Sequence, residues 1–162
     1  MLQPFAAKVI VVSDRISRGD REDVSGATLA RLLREQGAAE VPVSIIPDEI
    51  DQIQSCVRES LADAPDLIIL SGGTGLGPRD KTPEAVGPLL DKRLPGVEHA
   101  LLGSGIQEIA SAMFGRPIAG VIGTTVVTCI PGSVGSARSA VATLFPHLKH
   151  AFHVIRGGDH DE

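Results

Sequence analysis

The sequence predicts a three-layer α/β sandwich built around a mostly parallel central sheet. Three observations predict it. Short β-branched runs alternate with stretches whose apolar residues recur at helical spacing along most of the 162 residues. The runs are continuously apolar, as in strands buried on both faces of a parallel sheet. Polar, glycine-bearing segments follow several of these runs, and in open α/β sheets the region beyond the strand carboxyl ends is where ligands sit.

Lys8-Val9-Ile10-Val11-Val12-Ser13 is the first run and reads as the first strand. After a polar loop, Leu29, Leu32 and Leu33 recur at helical spacing, with Ser25 as an ordinary N-cap, Gly26 at the helix start and Gly37 at its end. Residues 41–46 read as the second strand, and Ile50, Ile53, Val57 and Leu61 form the stripe of the next helix. Residues 66–71 are the third strand, whose core Leu67-Ile68-Ile69-Leu70 empties into Gly72-Gly73-Thr74-Gly75. Thr82-Pro83-Glu84 supplies a cap, a proline at the first helical position and an acid in the first turn. Pro88 should kink or divide that helix before Arg93. A helix is expected over residues 97–113, closing strands over 118–122 and 125–130, and a last helix from about Gly135 that Pro146 should break. One domain is expected over residues 1–156, followed by a polar tail from Gly157 to Glu162 that should fray.

Hydrophobic residues make up 43% of the chain, yet there are four Phe and no Trp or Tyr, so the core must be aliphatic and aromatic stacking on bases is disfavoured. The net charge of -5 disfavours a protein that tracks nucleic-acid phosphates. A small anionic substrate needs only a local positive site. Cys56 and Cys129 lack metal-ligand spacing and read as two reduced, buried thiols. The histidines, His99, His147, His150, His153 and His160, show no zinc-ligand spacing either. No leader pattern and no run of about 20 apolar residues is visible, which predicts a soluble cytoplasmic protein without a membrane span.

The most informative segment is Gly72-Gly73-Thr74-Gly75-Leu76-Gly77-Pro78-Arg79-Asp80-Lys81-Thr82-Pro83-Glu84-Ala85. Its glycines let backbone N–H groups face phosphate oxygens, and the helix opening at Thr82 adds the positive end of its dipole. The same residues also suit a tight turn with a helix cap. Neither the P-loop nor the dinucleotide spacing is present. Asp80 is a carboxylate beside an anion cradle, which is unfavourable unless a cation such as Mg²⁺ lies between. Arg79 and Lys81 suit either charge neutralisation at a phosphate or a solvated surface run. Ser13-Asp14 ends the first strand, and Pro47-Asp48-Glu49 follows the second, where an Asp commonly caps a helix. Pro131-Gly132-Ser133 is another strand-to-helix loop, read as a plain turn or as a second set of N–H donors. All four segments should meet at one sheet edge.

Taken together, Ser13-Asp14 with Ser17, Gly19, Asp23, Ser25 and Gly26, Pro47-Asp48-Glu49, the segment from Gly72 to Ala85, Pro95-Gly96 and Pro131-Gly132-Ser133 resemble the MogA/MoaB-like molybdopterin-binding proteins, which include domains of gephyrin and plant Cnx proteins. The resemblance covers nearly the whole chain. It implies adenylylation of molybdopterin by Mg-ATP in molybdenum cofactor biosynthesis, and a homotrimer, or a hexamer as in some MoaB-like members. Other proteins of that pathway are implied as further partners. Asp48 and Asp80 match the acids that serve Mg²⁺ binding and catalysis. The glycine loop (Gly72, Gly73, Thr74, Gly75) and the region of Pro131, Gly132 and Ser133 match the phosphate-holding segments, and Ser13, Asp14, Ser25, Gly26, Thr82 and Glu84 complete the substrate-binding match. Gly115 before Arg116 and His99-Ala100-Leu101 depart from the family pattern, outside the acidic motifs. The alternatives are a catalytically weak MoaB-like member or a non-enzymatic pterin-binding or scaffold module. Two acids argue against pure phosphate binding.

Overall fold

The computed structural model describes residues 4–159. Its strands are β1 (Ala7–Val12), β2 (Val43–Ile46), β3 (Leu67–Ser71), β4 (Lys92–Arg93), β5 (Ile118–Ile122) and β6 (Thr125–Ile130). Its α-helices are α1 (Asp14–Ser17), α2 (Ser25–Glu35), α3 (Ile50–Ser60), α4 (Thr82–Val86), α5 (Pro95–Glu108) and α6 (Val134–Ile155). The six strands form one sheet in the order β2-β1-β3-β6-β5-β4. The first four are parallel, and β5 runs antiparallel to both β6 and β4.

Because successive residues of a strand face opposite sides, the apolar runs feed two cores at once. Val9, Val11, Leu67 and Ile69 pack with α2, α6 and Leu101 of α5 on one face. Ile10, Val12, Ile68 and Leu70 pack with α3 and α4 on the other. This is the expected three-layer arrangement. Each large aliphatic side chain so buried contributes about 1.5–3 kcal/mol. Phe5 meets Phe145 and Phe152 with ring centroids at 5.6 and 5.9 Å, which seals the far end of the first core.

From β1 the chain moves outward to β2 and then returns across β1 to β3, so the direction of winding reverses between β1 and β3. Such a switch point opens a crevice beyond the strand ends.

Several local expectations needed correction. The helix expected to reach Arg93 stops at Val86, passes through a 3-10 turn (Gly87–Leu89), and gives way to β4. Pro88 divides it, and the N–H groups of Asp91 and Leu94 donate instead to Val121 and Ala119 of β5. The helix expected over residues 97–113 begins at Pro95, suited to a first helical position, and ends at Glu108. Ile109 is extended (φ -148°), and a 3-10 turn (Ala110–Phe114) follows. The second strand starts at Val43 rather than Val41. The polar loop after β1 contains the single turn α1, whose Ile16 N–H donates to Ser13 Oγ at 3.3 Å.

Pro146 does not break the last helix: α6 runs through it for 22 residues. Pro146 lies on the exposed face, while Ala140, Val141, Leu144, Phe145 and Leu148 on the inner face are buried. Burial of that stripe outweighs one missing N–H. Ser25 is not the cap of α2; Asp23 Oδ1 accepts the Gly26 N–H at 2.8 Å instead. Cys56 and Cys129 are free, the second buried, and burial raises both thiol pKa values. Among the described residues no helix is long and apolar enough to cross a membrane. Of the expected tail, and of the histidines, residues 160–162 lie outside the described part.

Candidate functional site

Beyond β3 the backbone turns sharply at Gly72 (φ +109°) and Gly73 (φ +67°), conformations that side chains rarely adopt. Space excludes a side chain too. A Cβ on Gly72 would lie 2.2 Å from the Val12 carbonyl oxygen, and one on Gly73 would lie 2.3 Å from Thr82 Oγ1 and 3.0 Å from Asp48 Oδ1. Thr82 is not the helix cap expected of it. Its hydroxyl donates to Gly72 O at 2.8 Å and its N–H to Gly73 O at 3.0 Å, so it stitches the glycine loop to α4. The backbone N–H groups of residues 73–76 have no acceptor among the described residues. They remain available to a ligand.

Asp48 is buried at the end of β2 and braced against the end of β1. Its Oδ2 accepts the Asp14 N–H at 2.8 Å, while Asp14 Oδ1 accepts the Asp48 N–H at 3.1 Å. It does not cap α3, the helix that follows it, with its side chain. Burial pushes the Asp48 carboxyl above its usual range, outweighing the Asp14 N–H, and the Asp14 and Asp80 charges push the same way. Asp80 Oδ2 accepts the Gly77 N–H at 2.8 Å and would lie 2.9 Å from a Cβ on Gly75. Both acids therefore touch the glycine loop.

Arg79 does not face the cleft as a phosphate-neutralising group. Its guanidinium donates to Asp14 at 2.9 and 3.2 Å and to Glu49 at 2.7 Å. The hydrogen bond from Arg79 holds the Asp14 carboxyl below its usual range despite partial burial. Lys81 does not line the cleft either.

These segments enclose a cleft of about 830 Å³ at the switch point, within the size range of small-molecule sites. Ser13, Ser25, Asp48 and Asp80 line it. So do the glycine loop (Gly72, Gly73, Thr74, Gly75) and the turn formed by Pro131, Gly132 and Ser133. Gly132 packs on Gly72, where a Cβ would lie 3.2 Å from Gly72 Cα. Ser133 caps the 22-residue α6 by accepting the Ser136 N–H at 3.0 Å, so the positive end of a long helix opens into the cleft. Asp14, Gly26, Thr82 and Glu84 stand behind the wall. Gly26 is there for space, since a Cβ would lie 2.4 Å from both Asp23 Oδ2 and Val11 Cγ2. Glu84 pairs with Arg116. Burial raises its carboxyl, but the Arg116 hydrogen bond and charge, with its own N–H, leave it below the usual range.

Two contributors escape a reading by motif. Ser71 stands at the floor of the cleft and its buried hydroxyl has no hydrogen-bond partner, yet in sequence it is only the polar end of an apolar strand. Arg116 ties down the glycine loop from a segment without a motif. The cleft lining also carries Leu76, Ile109 and Phe114, all exposed, giving an apolar surface for a ring system. Three acids (Glu22, Asp48, Asp80) and one base (Arg21) line the cleft, so side chains alone do not make it cationic. Among the described residues no three His, Cys, Asp or Glu side chains gather as a metal cluster.

Residues 8–150 match the family model described as a probable molybdopterin binding domain. The chain is 42% identical over 152 residues to the molybdenum cofactor biosynthesis bifunctional protein of Chlorobaculum tepidum, covering 94% of this chain and 49% of that protein. It thus spans about half the length of such bifunctional relatives. It is 40% identical to molybdenum cofactor biosynthesis protein B of Bacillus subtilis, over 92% of this chain and 89% of the relative. The solved structure of MogA superposes with a TM-score of 0.88 at 32% identity, covering 93% of this chain and 99% of the other. By sequence and by fold, the chain belongs to the MogA/MoaB-like family of molybdopterin-binding domains of molybdenum cofactor biosynthesis.

Proposed function

We propose that the chain adenylylates molybdopterin with Mg-ATP, releasing pyrophosphate. The observation that carries this reading is the meeting, in one cleft, of unpaired N–H groups on residues 73–76 with the two carboxylates of Asp48 and Asp80. N–H groups and the α6 N-terminus receive phosphate oxygens. A cleft that held only phosphates would gain nothing from two acids. Their hard oxygen donors suit Mg²⁺, which typically takes one or two carboxylates and fills its shell with phosphates and water.

An oxygen of the terminal phosphate of molybdopterin attacks the α-phosphorus of ATP in line. A new P–O bond forms as the bond to the β-phosphate bridging oxygen breaks, and pyrophosphate carries away the electron pair. The nucleophile is already an anion, so no strong general base is needed. The loop N–H groups and the α6 N-terminus position the two polyanions, the apolar lining seats a ring, and Asp48 and Asp80 are the residues that would hold the metal. When bound, Mg²⁺ would offset charge developing on the phosphoryl oxygens. A cytoplasmic homotrimer of one domain per chain completes the reading.

Incubation of the purified protein with molybdopterin and Mg-ATP should yield adenylyl-molybdopterin and pyrophosphate in equal amounts. Binding of both substrates without product would instead place the chain among weak MoaB-like or purely pterin-binding members.

A further inference from the structure

We propose that Arg116 is a positioning residue that holds the glycine loop in its anion-receiving form without touching the ligand. This rests on the reading of that loop as a phosphate cradle. A peptide N–H and its C=O point in opposite directions across a planar trans unit, so fixing the carbonyl aims the N–H. Four consecutive carbonyls of the loop are tied back. Thr82 takes those of Gly72 and Gly73. Arg116 takes the other two: its backbone N–H donates to Thr74 O at 3.0 Å, and its Nε and Nη2 donate to Gly75 O at 3.0 and 2.8 Å. The matching N–H groups, on residues 73–76, are the ones left without an acceptor.

Nη2 also donates to the carbonyl of Asp80 at 3.1 Å, and Nη1 is held by Glu84. All three guanidinium nitrogens are thereby engaged on the loop and α4, and Arg116 does not line the cleft. The planar fork spans Gly75 O, Asp80 O and Glu84 together, which the single ammonium of lysine cannot do. Arg116 thus fixes both the donors and the backbone that carries the Asp80 carboxylate.

The test measures binding of inorganic pyrophosphate with Mg²⁺ by calorimetry to the parent, Arg116→Lys and Arg116→Ala, with thermal unfolding of each as a check on folding. Both variants should bind on the order of 10- to 100-fold more weakly than the parent, as expected for losing charge-assisted hydrogen bonds. Millimolar methylguanidinium, but not sodium at equal ionic strength, should restore binding to Arg116→Ala. Parental affinity in Arg116→Lys would overturn the inference, because charge alone would then suffice. A second measurement uses the parent alone. In its pyrophosphate complex, NMR contacts from phosphorus should reach the N–H groups of residues 73–76 and not the Arg116 guanidinium. A direct guanidinium contact would make Arg116 a ligand residue and overturn the inference whatever the variants do. A parent that binds neither pyrophosphate nor Mg-ATP would instead defeat the cradle itself, so the two failures are distinguishable.

Discussion

Gly73 shows how little freedom the cleft leaves at single positions. A valine there would have to adopt φ +67° and displace both Thr82 Oγ1 and Asp48 Oδ1, with left-handed strain alone costing about 1–2 kcal/mol. Gly73→Val should therefore lose phosphate affinity, measured by Mg-ATP calorimetry, and unchanged binding by a folded variant would reduce the loop to a turn. Asp80→Asn keeps an acceptor for the Gly77 N–H and removes the charge. Single-turnover adenylylation should fall roughly 100-fold, equivalent to about 2.7 kcal/mol, while pterin binding survives. Near-normal turnover with normal magnesium dependence would take Asp80 out of the mechanism. Asp48 titrates in the opposite sense to a salt-bridged acid. Its folded pKa lies above the ordinary 3.8, so its contribution to stability is complete below 3.8 and is lost as the pH climbs through the raised value. Asp48→Asn should gain stability relative to the parent across that rise, as read by denaturant unfolding at stepped pH. A difference independent of pH would mean that burial does not perturb the carboxyl.

Among the elements, α6 holds a proline that local rules place at a helix end. Pro146 has no N–H for the Ala142 carbonyl, yet the helix continues because its inner stripe is buried against β1, β3 and β6. Its outer position also leaves the orphan carbonyl near solvent. Pro146→Ala should restore the missing bond and raise unfolding stability by about 1–3 kcal/mol, below or near the intrinsic gap between the two residues. Denaturant unfolding checks it, and a destabilised variant would show that α6 depends on the ring for packing. The division of the neighbouring α5 segment at Ile109 has a different consequence. It turns Ile109 and Phe114 toward the cleft, where a continuous helix would have carried them along one cylinder.

For the molecule as a whole, large apolar residues among those described remain exposed outside the cleft in two regions. Ile106 and Met113 are exposed around the end of α5, and Val43, Ile45 and Ile50 on and beside the edge strand β2. Exposed apolar groups of this kind mark association surfaces. The chain should therefore assemble, and light scattering should give about three times the 16.9 kDa chain mass, or six times it for a MoaB-like hexamer. A mass of one chain at micromolar concentration would refute assembly.

The sequence by itself determined the α/β class, the order of the main strands and helices, the glycine loop and the two acids, because strand runs, helical spacing and turn chemistry are properties of neighbouring residues. Tertiary structure decided the rest. Asp48 meets Asp14 across 34 residues and Arg116 meets Gly75 across 41, partnerships that depend on which strands pair and where their ends fall. The same tertiary arrangement turned Arg79 toward Asp14 and Glu49, gave the cap of α2 to Asp23, and left the Ser71 hydroxyl buried and unpaired. Local pattern also misjudged Pro146, since a backbone preference of a few kcal/mol yields to the burial of a whole helix face. What a residue is was written locally; which atom its charge or hydroxyl would meet was settled only when strands far apart in the chain were brought into register.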